Sequence, residues 1–76
     1  MLIALGSPGA AVFVQVTGAI KIGSVVTVQK IEGTSDGFLG EPNWGAGTQF
    51  RLKRFMGQLK FGAAEVLVDV YAADRA

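Results

Sequence analysis

Residues 12–17 read Val12-Phe13-Val14-Gln15-Val16-Thr17, and residues 66–71 read Val66-Leu67-Val68-Asp69-Val70-Tyr71. Both stretches alternate with a period of two and are built from β-branched and aromatic residues, so they read as strands. In the first, Phe13 makes the second face partly apolar as well. Two further runs behave alike. Val26 and Val28 alternate with Val25, Thr27 and Gln29, and Phe50, Leu52 and Arg54 alternate with Arg51, Lys53 and Phe55. A short strand, Leu2 to Leu5, comes before the turn residues Gly6-Ser7-Pro8-Gly9. No segment offers ten residues of helical periodicity with a cap. The expected fold is all-β, a small barrel or sandwich of about five to six strands in one domain spanning residues 1–76.

Glycine organises the remainder. A long Gly-rich loop, residues 32–48, carries Gly33, Gly37, Gly40, Gly45 and Gly47 around Pro42 and Asn43. Loops of this length are uncommon in small domains unless they have a function of their own, and Phe38 and Leu39 could form a short strand inside it. Elsewhere Gly18-Ala-Ile-Lys-Ile-Gly23 echoes Gly57-Gln-Leu-Lys-Phe-Gly62. Each hexapeptide sits between two strand runs. The echo suggests two similar strand–bend–strand units, with paired glycines supplying the bends and the positive φ angles that other residues resist. On that reading Ile20 and Ile22, like Leu59 and Phe61, face one side, and Lys21 and Lys60 the other. A chance match in a glycine-rich chain is the alternative.

Composition narrows the function. The chain has 76 residues, eleven of them glycine, with 50% hydrophobic and 17% charged residues, no cysteine and no histidine. Disulfide frameworks, zinc knuckles and thiol nucleophiles are thereby excluded, as are the commonest general base and metal ligand. The six carboxylates (Glu32, Asp36, Glu41, Glu65, Asp69 and Asp74) show no calcium-loop spacing. Ser7, Ser24 and Ser35 have no histidine to activate them. No Gly-x-x-x-x-Gly-Lys-Ser/Thr order is present. The expectation is a non-enzymatic protein with no cofactor and no metal.

No apolar run approaches the roughly 18 residues of a membrane span. The first basic residue is Lys21, so the start lacks the charged region of a secretory signal. The expected setting is a soluble one, virion or cytoplasm, with the compartment left open.

Two functional expectations remain. The first is a structural or assembly subunit in a homo-oligomer or larger complex, of the viral or phage decoration, tail or connector type. Its basis is a short, apolar, unstapled chain whose strands are apolar on both faces, when so few residues suffice to cover one face. The interface candidates are Trp44, Phe13, Phe38 and Leu39, with Trp44 in its glycine loop placed as an anchor or as a lid over the core.

The second is a nucleic-acid-binding or inhibitory module. Arg51, Lys53, Arg54 and Lys60 fall within ten positions, uninterrupted by any acid, with Phe50, Phe55 and Phe61 interleaved. Basic groups track phosphates and aromatic faces stack on unpaired bases. Strict alternation puts Arg51, Lys53 and Phe55 on one face. The net charge of only +1 leaves an ordinary alternative, in which Glu65 and Asp69 on the neighbouring strand neutralise this stripe.

Overall fold

The computed structural model describes residues 1–32 and 45–76. The chain is all-β. Its strands are β1 (Leu2–Ser7), β2 (Ala10–Thr17), β3 (Val25–Glu32), β4 (Gln49–Phe61) and β5 (Val66–Arg75). They form a closed ring in chain order. Four seams are antiparallel, and the fifth joins β1 to β5 in parallel through Ala4↔Val70 and Leu5↔Tyr71. Of the two architectures left open above, the closed ring is the one formed. There is no helix among the described residues. The suggested strand at Phe38 and Leu39, and the anchor Trp44, lie outside the described residues.

Alternation decides the interior. Ile3 and Leu5 of β1, Val12, Val14 and Val16 of β2, and Val26 and Val28 of β3 point inward. Phe50 and Leu52 of β4 and Tyr71 and Ala73 of β5 join them in one buried cluster, with Ile20 and Ile31 at its margins. No polar or charged residue is buried among the described residues. The ring therefore encloses an apolar core, stabilised by removing these side chains from water.

A second cluster lies on the outside. Ala4, Val68 and Val70 are buried there, with Leu2, Ala11, Phe13, Met56, Leu59 and Phe61 packed against them. These are the outward residues of β1 and β2 together with one face of the distal β4–β5 ribbon, residues 56–61 paired with 66–70. The ribbon folds back across the outer face of the β1–β2 hairpin. The rings of Phe13 and Phe61 are 4.7 Å apart, tilted at 52°. The second apolar face of β2, expected to need a cover from outside, is covered by the chain's own C-terminal hairpin.

The strand expected over residues 50–55 runs on to Phe61. Two bulges let it. Leu52 opposes Ala73 and Arg54 opposes Ala72, leaving Lys53 extra; Phe55 opposes Tyr71 and Gly57 opposes Val70, leaving Met56 extra. Each bulge bends the strand and steepens its twist, which carries the ribbon from the ring wall onto the β1–β2 face.

Candidate nucleic-acid interface

The first of those bulges also changes which side chains share a face. Before it, Phe50 and Leu52 are buried and Arg51 is exposed, as alternation requires. Lys53 inserts one residue, so Arg54 follows it on the outer side and Phe55 moves to the inner side, opposite Tyr71. The expected trio of Arg51, Lys53 and Phe55 on one face is therefore replaced. Arg51, Lys53 and Arg54 share the outer face, and Phe55 stands behind them at the rim of the ring.

Other parts of the chain join this strip. The 19–24 loop is held against β4 by three hydrogen bonds. The Gly23 amide donates to the Leu52 carbonyl at 2.8 Å and the Leu52 amide to the Ser24 carbonyl at 2.9 Å. The Arg51 guanidinium donates to the Gly23 carbonyl at 2.8 Å. The loop that carries Lys21 and the half-exposed Ile22 is thus tied to Arg51 and Leu52. From the other side β5 contributes Asp74, opposite Arg51, and Arg75, opposite Phe50. The Arg75 guanidinium lies 5.9 Å from the Phe50 ring centroid.

Among the described residues the side-chain charges are segregated. Segments 19–27, 45–55 and 71–76 carry five cations (Lys21, Arg51, Lys53, Arg54 and Arg75) against one carboxylate, Asp74. The other described segments carry Lys30 and Lys60 against Glu32, Glu65 and Asp69. Ion pairing follows the same division. Lys30 pairs with Glu32 at 3.2 Å and Lys60 with Glu65 at 3.6 Å, both away from the basic strip. Within the strip Lys53 pairs with Asp74 at 3.4 Å, and both groups are more than half exposed. Such a pair is worth little and exchanges readily for another partner.

The expected neutralisation by Glu65 and Asp69 takes a different form. Glu65 reaches Lys60. Asp69 instead accepts from Gln58 Nε2 at 2.8 Å and from the Tyr71 hydroxyl. Burial, then the Asp69 charge and this hydrogen bond, push the Tyr71 hydroxyl above its ordinary value. Arg51 and Arg54 are met by neutral acceptors, Arg54 Nε donating to Met56 Sδ at 3.2 Å. Lys60, which the sequence grouped with them, sits near the ribbon tip and outside the strip.

Phe55 is 54% exposed. Its ring meets Tyr71 edge-on, centroids 5.8 Å apart, so the contact fixes the ring while leaving it open to solvent. Phe13, an interface candidate by sequence, is half-buried against Phe61. Lys21, Ile22 and Arg75 are the residues sequence reading left out of the site. Lys21 lies thirty positions from Arg51, and the register of β3 on β4 (Val25↔Arg51) together with the hydrogen bonds of Gly23 and Ser24 to β4 joins their segments. Among the described residues no group of His, Cys, Asp or Glu could hold a metal ion. No protein-family model, curated protein or solved structure matches the chain.

Proposed function

We propose that this protein is a small non-enzymatic module that binds nucleic acid through the basic flank of its ring. The observation that carries the reading is the charge distribution among the described residues: segments 19–27, 45–55 and 71–76 carry five cations against one carboxylate, in a chain whose net charge is only +1. A concentrated positive surface on a near-neutral protein draws polyanions and releases their counterions on binding. Fluorescence anisotropy with a labelled oligonucleotide tests it. Affinity should fall steeply with salt, with a log–log slope of roughly −3 if about four phosphates are met on a single strand. Arg51→Ala/Lys53→Ala/Arg54→Ala should abolish binding, and Lys30→Ala should leave it intact. A protein with no affinity at 20–50 mM salt, about the lower end of the range over which such contacts act, ends the proposal.

A second reading, the assembly subunit, rests on a different observation. Val66 and Leu67 at the ribbon tip are 54% and 59% exposed. Large apolar side chains left exposed at the end of a ribbon are surface that a protein partner would cover. Sedimentation of the wild type and of Val66→Ser/Leu67→Ser decides it. Assembly predicts a concentration-dependent mass that the double variant loses, and a monomer at all concentrations removes self-association.

A further inference from the structure

The basic flank explains attraction to any polyanion, but Phe55 makes a finer distinction. We infer that Phe55 is a stacking platform for an unpaired base, so that the module selects single-stranded over duplex nucleic acid. This inference rests on the nucleic-acid reading above and adds the form of the ligand. Three features of the site support it. The ring is 54% exposed although it sits in a strand between residues paired on β5. Tyr71 braces it edge-on at 5.8 Å and 68°, so little rotamer freedom remains to be lost when a base stacks. The ring also stands at the rim, one residue from Arg54, where β4 has passed beyond its register pair with β3 at Val25↔Arg51.

Strand geometry then sets the course of the ligand. Arg51, Lys53 and Arg54 lie on the outer side of β4 and Phe55 on the inner side. A nucleic-acid strand crossing the rim would leave its phosphates with the cations and turn one base over the rim onto the ring. A stacked duplex cannot present a base in that way without unpairing it, and aromatic stacking is indifferent to base identity because every base has a π-face. Ile22, 52% exposed on the loop tied to Leu52, offers an apolar edge for the same base or its neighbour. Asp69 is on the same side of the ribbon as Phe55, two β5 positions beyond Tyr71. Its charge keeps phosphates from following the base inward and so favours the outer course for the backbone.

The test compares one labelled oligonucleotide, single-stranded and annealed to its complement, with heparin as a base-free polyanion. The wild type should prefer the single strand by about tenfold, the order of one stacked base. Phe55→Ala and Phe55→Leu should each remove that preference, leaving duplex and heparin affinity and the salt slope unchanged. Phe55→Tyr should restore it. Thermal melting of each variant separates lost stacking from lost folding. Equal affinity for both forms, or a Phe55→Ala loss shared by duplex and heparin, overturns this inference while sparing the basic-flank reading. Failure of all three ligands to bind at low salt overturns both.

Discussion

Two hexapeptides of this protein have the same pattern and almost the same glycine geometry, yet they build different structures. Gly18 and Gly57 have φ of +121° and +119°, and Gly23 and Gly62 have +89° and +75°. Between the first pair the chain forms a loop. Between the second it continues β4, with Gln58 to Phe61 paired to β5. The apolar residues also part ways. Leu59 and Phe61 both enter the outer cluster, whereas Ile20 reaches the ring core and Ile22 turns to solvent. The glycines specify where the backbone bends, and the partner available alongside decides whether what lies between is a strand. Residues 58–61 have β5 beside them through the turn at 62–65. Residues 19–22 must cross from β2 to β3 and are held by Ile20 in the core and through Gly23 and Ser24 on β4.

The difference can be broken at the glycines. A Cβ at Gly18 would lie 2.7 Å from the Val25 carbonyl oxygen, a backbone atom that cannot step aside. A Cβ at Gly57 would meet nothing within 4 Å. Gly18→Ala therefore combines steric overlap with backbone strain and should cost about 3 kcal/mol or more. Chemical denaturation would measure it, and a loss below that of Gly57→Ala would contradict the clearance argument. Next comes Phe61→Ala. Fully buried phenylalanines cost about 3–5 kcal/mol to truncate, so a half-buried ring should cost about 2 kcal/mol. Ile20→Ala should cost about half as much, the loop having less to lose. Gly57→Ala, strained but unobstructed, should cost about 1–2 kcal/mol.

The smallest effect is that of pH, and it belongs to the ribbon side. The Tyr71 hydroxyl titrates above its ordinary value of 10. Its folded-state value exceeds the unfolded one, so the unfolded chain loses this proton first. The associated stability is complete below about pH 10 and declines as pH rises through the folded value. Tyr71→Phe should flatten that alkaline decline. Unfolding curves at pH 8 and pH 11 for the two proteins provide the measurement, and identical slopes would remove Tyr71 as the cause.

The strands were legible because half-buried β structure writes its period into the chain. Val12, Val14 and Val16 on one side and Val68 and Val70 in the last strand left little choice of fold class. The bends at all four glycines of the two hexapeptides were equally readable. Two things were not. An inserted residue such as Lys53 looks like any other member of an alternating run, and only the pairing Leu52↔Ala73, Arg54↔Ala72 reveals it. That one residue moved Phe55 off the basic face. The outer cluster was hidden for a related reason. A strand apolar on both faces announces that it needs covering, but not whether the cover comes from another molecule or, as with Phe61 on Phe13, from 48 residues further along. The site showed the same limit, since its β4 cations were visible as a run while Lys21 and Arg75 joined them only through folding.

The seam that closes the ring has a consequence in time. Each of the other four seams joins strands that follow one another along the chain, so each can form as soon as its second strand exists. The β1–β5 seam joins Ala4 and Leu5 to Val70 and Tyr71, and such distant pairing is slow to find because little rewards it until the long loop is closed. Until β5 arrives, β1 therefore keeps one edge unmet, and an open sheet with an apolar face is what the last seam converts into a closed ring.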